Sequence, residues 1–570
     1  MTFEYSLDSF RAPTTNVPFL IEEFLEALSA HQELGLPLNS ALHILDELEK
    51  RLRSNQVVSD LISVRLDNYL KFDRSNVEEM QRAFNVLLVE LDPRSYVIKC
   101  FELLKGKVVE NEKKGIEFFC REAVTTLLNL GVSSFFINKS AVEHFFGSSI
   151  VDSNDCLDEF LRKIYPHYHK FDLILKIKTP VGVVKKEILG IFDLSLSSRI
   201  PKRFLSDCSP DMKTLEKGWK YLVATDLRAF DYFSAVEVTK DKIARLHDLF
   251  GMFYHKGSYA LDQNAVVVQK CCLKESFDVQ TLVNRMHFVD DNKPKDAASK
   301  LDHMVKTILL PSGPDREKFF RVIDFHGISS KSETVENQVI NLWTSLETLV
   351  PAKSHGSIIS GVAYGVLPFI GLNYVRRIFE RLTFDILRWN RRELTRALAD
   401  TKFPAGADIV EKVFCLVVVK ENEDTLSEFL GRLLNFELLR FRVFTLNKMY
   451  SRPEKIFKSI ESHQQRVEWQ LHRIYRTRNS IVHSGHTPKY TSLLVSNAHD
   501  YFDQVFSTVC KFSSQPGGFD NFSSCFDYAE RLYAQYHSDI SRMSTLSIED
   551  TSSVLWKPID RPTKWSLFPS

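Results

Sequence analysis

The apolar residues of this chain change their spacing twice, and that switch limits the folds open to it. From residue 17 to about 150 they recur every three to four positions, so VPFLIEEFLEALSAHQELG, SALHILDELEKRL and VEEMQRAFNVLLVEL each lay an apolar stripe along a helix. Gly35-Leu36-Pro37 ends the first of these, and Gly131 stops IEFFCREAVTTLLNLGV. Near Asp155 the texture changes. FDLILKI (171–177) and VVKKEILGIFDLSLS (183–197) are apolar runs of strand length around a Thr-Pro-Val-Gly turn, which predicts a β-hairpin. A helix over 215–233, a short strand at SAVEV (234–238), a helix at KDKIARLHDLFGMFY and a strand within 260–272 complete a predicted α/β region. Polar stretches at 290–300 and 312–318 read as connectors. From Glu333 to about Tyr536 the helical spacing returns, with a loop at 513–521. The expected class is α+β, multidomain and mostly helical. Its predicted parts are an N-terminal helical domain (1–150), a central α/β domain (151–330), a C-terminal helical domain (331–540) and an extended tail (541–570). Within the tail Trp556 and Trp565 are the residues expected to dock.

Composition narrows the class further. The 570 residues are 44% hydrophobic and 26% charged, the balance of a soluble globular protein. There are 43 Phe against 21 Gly and 20 Pro, which predicts an aromatic core and short loops. A formal net charge of +1 gives no whole-chain attraction to nucleic acid or membrane, so any such site must be a local patch. The nine cysteines form no C-x-x-C pair and no Cys/His ligand spacing. Reduced thiols in a cytoplasmic protein are expected, with no metal and no cofactor. The first residues, MTFEYSLDSFRAPTTN, lack the basic-then-apolar order of a secretory signal. Ser357–Val375 is uncharged and about as long as a bilayer span, but its three Gly, central Pro368 and polar residues predict a buried, kinked helix or a helical hairpin instead. No glycine-rich phosphate loop, G-x-S-x-G elbow or H-E-x-x-H pair is present.

The strongest chemical signal is WQLHRIYRTRNSIVHSGH (469–486). On a helix Asn479 and His483 stack as i and i+4, while Arg478 lies about 140° away from His483 with a side chain long enough to swing back. His483 falls at the predicted C-terminal end, where Gly485 favours a left-handed cap and the helix dipole helps the imidazole hold a proton. An Arg that holds a phosphate and a His that moves a proton suit RNA cleavage by the ribose 2′-OH. Arg466, His472, Arg473 and Arg476, with one intervening acid at Glu468, would make the helix a basic track for RNA. The plain alternative is surface decoration, since an Arg and a His five apart occur by chance in many helices.

R-N-S-I-V-H resembles the R-N-x-x-x-H form of the motif of HEPN domains. NLWTSLETLV (341–350) is similar to the W-x-x-L-E segment that opens the ApeA-like HEPN domains of bacterial antiphage defence. The likeness spans roughly 333–540. It implies a helical bundle that dimerises and cleaves RNA, tRNA included, without metal, in abortive-infection or toxin systems. Arg478 and His483 would then be the catalytic pair, with Asn479 as polar companion. Glu347 would orient one of them or serve as a buried helix-pairing acid, and Trp343 would be core. A homodimer is implied, together with a phage-derived trigger or an antitoxin partner.

Two other readings stay open. One is a non-catalytic HEPN scaffold that binds RNA or protein. The other is a Mg²⁺-dependent nuclease in the central domain, built on Asp172 and on Asp193-Leu194-Ser195, although Ser195 stands where that chemistry needs a Lys.

Overall fold

In the computed structural model the chain is mostly helical, with one five-stranded antiparallel sheet. The structure describes residues 14–35, 37–147, 151, 153–179, 184–255, 259–272, 274–280, 286, 294–307, 314–351, 356–514 and 518–556. The turn expected at 180–182 and the docking expected of Trp565 lie outside them. The chain divides into two compact units. The first joins residues 15–34 to 48–283; the second joins Thr14 and residues 35–47 to 284–570. The boundary drawn from sequence at 150 falls inside the first unit, and that at 330 inside the second.

The first unit opens with α1 (Val17–Leu34), then the last turns of α2 (Leu38–Arg53), and includes α3 (Pro93–Val109) and α4 (Lys113–Leu130). Gly35 and Gly131 end α1 and α4 at φ 67° and 112°, a region closed to most L-residues, which is why glycine marks both stops. The sheet follows, in the order β2-β3-β1-β4-β5. Its strands are β1 (His169–Lys178), β2 (Leu194–Ser197), β3 (Lys220–Ala229), β4 (Ala260–Gln269) and β5 (Ser276–Gln280). Helix α5 (Tyr232–Gly251) covers one face, packing Ala235, Val236, Ile243 and Leu246 into the core that holds Leu173, Leu175 and Leu222. Phe204, Cys208 and Met212 cover Ile174, Val223 and Val266 on the other.

This arrangement corrects the sequence reading in three places. The helix expected over 215–233 is largely β3. That strand lies between β2 and β1 with both faces covered, so its contiguous apolar run loses the period of two that would have revealed it. The strand expected at SAVEV is the first turns of α5, where Asp231 accepts a hydrogen bond from the Ser234 N–H at 2.8 Å as N-cap. The hairpin expected from 171 to 197 does not form. Residues 186–191 are a short helix, and β2 pairs with β3 rather than β1. The expected strand over 260–272 is β4.

In the second unit the polar stretches read as connectors are largely helical: Pro294–Thr307 and α6 (Pro314–Lys331). Then come α7 (Val335–Leu349), α8 (Ile358–Ala399), α9 (Pro453–Ser484), α10 (Thr491–Ser514) and α11 (Phe522–Arg542). Helix α8 contains the uncharged run. It is long and apolar enough to cross a membrane by length and composition, yet 61% of its apolar window is buried in the bundle. Val366, Phe369, Ile370, Leu372 and Val375 are core residues there. Its kink is at Asn390 (φ −162°, ψ 96°), not at Pro368, because the Asn390 carboxamide accepts from the Arg392 and Glu393 N–H groups and caps the second half. The tail is not simply extended: Leu546, Val554 and Leu555 are buried, a short helix spans Thr551–Val554, and Trp556 packs on the core.

Glycine in α8 permits close helix contact. A Cβ on Gly371 would stand 2.5 Å from Tyr533 Cε2 and 2.8 Å from Gln464 Nε2. Neither neighbour is free to move, since the Tyr533 hydroxyl donates to Gln464 Oε1 at 2.7 Å and Gln464 Nε2 donates to the Leu367 carbonyl at 3.1 Å. Gly371→Ala is therefore expected to destabilise the second unit by about 1–3 kcal/mol through overpacking. Urea unfolding followed by tryptophan fluorescence measures it, and an unchanged midpoint would mean that α8 and α11 separate easily.

Candidate active site on the last turns of α9

Helix α9 keeps one face in the core for most of its length. Ile456, Ile460, His463, Val467, Leu471, Ile474 and Thr477 recur every three or four residues, and all are buried. Past Thr477 the stripe fades: Ile481 is partly buried against the core, and Val482 and His483 are exposed. The R-N-x-x-x-H segment thus occupies the end of the helix as it emerges from the bundle. Gly485 closes that end at φ 67°, donating its N–H to the Ile481 carbonyl at 3.1 Å, as its place in the sequence predicts. An L-residue there would cost about 1–2 kcal/mol. Ser480 ties down the chain beyond the cap by donating to the His486 carbonyl at 3.1 Å.

Arg478 is half-buried, and its Nη1 donates to Asn479 Oδ1 at 3.0 Å. Its Nε–H is buried without a hydrogen-bond partner, and no carboxylate pairs with the guanidinium among the described residues. His483 is exposed and makes no hydrogen bond or ion pair among those residues, which leaves both ring nitrogens open to a ligand. The motif therefore places a half-buried guanidinium with no carboxylate partner among the described residues and an accessible imidazole on one helix end.

The opening segment stands beside the same helix. Trp343 on α7 is fully buried, as expected, with its ring 5.2 Å from that of Tyr475, one turn before Arg478. Glu347 is half-buried and accepts a hydrogen bond from Trp343 Nε1 at 2.9 Å. Its partner in the structure is thus the tryptophan rather than Arg478 or His483, so Glu347 fixes a core ring on α7. Comparison of the chain with family models, curated proteins and solved structures returned no match.

The basic track expected along α9 is half lost. Arg473 is 0% exposed and pairs with the buried Glu47 of α2 at 2.6 Å. His472 is buried against His43, their ring centroids 4.2 Å apart. Five consecutive residues, Gln470 to Ile474, are buried, so the helix is enclosed on all sides at this level and not only along its apolar stripe. Arg466 and Arg476 are half-buried. Any phosphate track would have to be drawn from these two and Arg478.

Enclosure also fixes the charge of the histidines. Burial, with repulsion from His43 and Arg476, pushes His472 down to about 3. Burial likewise lowers His463, stacked 4.0 Å from the Tyr374 ring, with Arg466 and its neighbours adding to the effect. Both are neutral in the fold, and the unfolded chain takes up protons first. Their contribution to stability is complete above the ordinary histidine value of 6.5 and is lost as pH falls below it. Replacing His472 by Phe should remove up to about 1.4 kcal/mol per pH unit of that slope. Urea unfolding at about pH 7 and pH 5 reads the effect, and an unchanged slope would mean that His472 is protonated in the fold.

The second set of acids does not converge. Asp172 of β1 is 3% exposed and saturated: it pairs with Arg203 at 3.0 Å and Lys270 at 3.5 Å and accepts the Asp226 N–H at 3.1 Å. Asp193 precedes β2 and pairs with Lys242 at 2.7 Å. Leu173 and Leu194, next to the two acids, both register with Ala224 of the intervening β3, which places them two strand spacings, about 9.5 Å, apart. Each carboxylate is instead held by its own basic partners, Asp172 by Arg203 and Lys270 and Asp193 by Lys242.

Proposed function

We propose that the second unit is a HEPN-type endoribonuclease that cleaves RNA by internal attack of the ribose 2′-OH. The observation that carries this reading is Arg478, a half-buried guanidinium with no acidic partner among the described residues, on the same emergent helix end as the accessible His483. A guanidinium left unneutralised in a partly desolvated place favours an anion, and a phosphodiester matches its planar donors. An imidazole changes charge near neutral pH and can take the proton of the 2′-OH or return one to the 5′ leaving oxygen. Arg478 would stabilise the charge that builds on the phosphoryl oxygens, while Asn479, bonded to it, holds the fork in place.

The two proton transfers call for two groups on opposite sides of the phosphorus. One copy of the motif supplies one exposed histidine, so a homodimer with two facing motifs completes the site. The products are a 2′,3′-cyclic phosphate and a 5′-OH. In this reading the protein is a cytoplasmic effector of antiphage defence, and its first unit senses a trigger or holds the nuclease inactive. The test is RNA cleavage by the full chain in EDTA, with Arg478→Ala and His483→Ala beside it. Cleavage that survives both substitutions would reject the assignment. RNA binding without cut ends would instead make the bundle a scaffold.

A further inference from the structure

The first unit brings together three metal-ligating side chains that the sequence separates. His169 begins β1, while Cys271 and Cys272 follow β4 in the turn toward β5. The sheet order places β4 beside β1, with Phe171 in register with Gln269, and the Lys270 N–H donates to the Lys170 carbonyl at 2.8 Å. That pairing sets the start of β1 against the end of β4. His169 Nδ1 lies 3.4 Å from Cys271 Sγ and 3.5 Å from Cys272 Sγ, and the two sulfurs are 3.4 Å apart.

Three nearly equal edges form one face of a tetrahedron. For Zn²⁺, bonds of about 2.3 Å to sulfur and 2.0–2.1 Å to nitrogen give S···N edges of about 3.5 Å and S···S edges of about 3.8 Å. The observed triangle is within a few tenths of an ångström of that face. A disulfide is the competing use of two thiols this close, but neighbouring Cα atoms stand about 3.8 Å apart across a trans peptide, below the usual disulfide range of about 4.4–6.8 Å. Both cysteines are exposed, so an ion can reach them, unlike the buried Cys100, Cys208, Cys415, Cys510 and Cys525. A second cluster of possible ligands among the described residues, His326, His499 and Asp503, is built differently. Its two imidazoles meet Nε2 to Nε2 at 3.0 Å with rings 20° from coplanar, the geometry of a hydrogen bond between rings.

We propose that His169, Cys271 and Cys272 bind a thiophilic d¹⁰ cation, with Zn²⁺ the expected occupant. Cys271 and Cys272 bind as thiolates, releasing two protons, and His169 binds through Nδ1 in its Nε2–H tautomer. The Gln269 carboxamide, 3.1 Å from that Nδ1, gives way to the ion. Three protein ligands leave a fourth position for water or an incoming ligand, which makes this an exchangeable site rather than a closed structural one. The ion ties the start of β1 to the β4–β5 turn. The site stands independently of the ribonuclease reading.

The test is titration of the reduced, metal-stripped full chain with Zn²⁺ and Co²⁺. One equivalent should bind, with a thiolate-to-cobalt charge-transfer band. Cys271→Ser and Cys272→Ser should each lower affinity beyond the roughly 10–100-fold typical of outer-shell changes, while His169→Ala weakens binding and alters the cobalt spectrum. A second measurement needs no variant: Zn²⁺ should protect Cys271 and Cys272 of the wild-type chain from alkylation, as read by peptide mass. Alkylation of both at an unchanged rate, or a full equivalent bound by the Cys271→Ser/Cys272→Ser chain, would overturn the proposal.

Discussion

His483→Ala is expected to lower RNA cleavage by about 10²–10⁴-fold, the usual contribution of a positioned proton-transfer group. Arg478→Ala should cost about 10²–10³-fold, the scale set by removing one donor to a developing oxyanion. Neither change should disturb the fold. Among the described residues His483 is exposed and without partners, and the Arg478 side chain bonds only to its neighbour Asn479. Stability within about 0.5 kcal/mol of wild type would show that the lost rate is chemical. The split between binding and rate adds detail. If Arg478 acts on the charge that builds at phosphorus, Arg478→Ala lowers kcat more than it raises KM. If it merely binds RNA, KM rises and kcat holds. Mixing the His483→Ala and Arg478→Ala chains tests the composite cleft, because a site shared between copies can regain activity in a mixed dimer.

The second large effect is on stability. Arg473 and Glu47 are 0% and 2% exposed in their side chains and bonded at 2.6 Å. Removing one partner takes a short ion pair from a side chain that stays buried, so Arg473→Ala or Glu47→Ala should cost about 3–5 kcal/mol. Replacing both by apolar residues, Arg473→Met with Glu47→Leu, should recover most of that loss, because desolvation offsets much of the attraction in a buried pair. Five of the six tryptophans of the chain lie between residues 343 and 565, so tryptophan fluorescence in urea follows mainly the second unit. An Arg473→Ala chain that folds as well as wild type but loses RNA affinity would return Arg473 to the surface track.

What the sequence revealed and what it hid follow from one distinction. Signals within a few residues of each other were legible: the stops at Gly35 and Gly131, the left-handed cap at Gly485, the core role of Trp343 and the predominance of helix. Features made by residues far apart were not. β3 read as a helix because being covered on both faces erased its alternation, and its place between β2 and β1 is a property of the whole sheet. Arg473 and His472 read as a basic surface because nothing local shows that residues 35–47 enclose the middle of α9. His169 and Cys271 are 102 residues apart, so a search for ligand spacing passes over them. Within the candidate site, the Arg478-Asn479-His483 segment was legible because one helix carries all of it. The Trp343–Glu347 bond was hidden only in its choice of partner, since an i to i+4 contact along α7 competes directly with any reach toward α9.

Cleavage by the ribose 2′-OH is recorded in the ends it leaves on RNA. The decisive measurement is the end groups produced by the full-length chain on RNA in EDTA. The wild-type chain should leave 2′,3′-cyclic phosphates and 5′-hydroxyls, and the His483→Ala chain none. Ends bearing 5′-phosphates, or cleavage that continues in the His483→Ala chain, would contradict this chemistry.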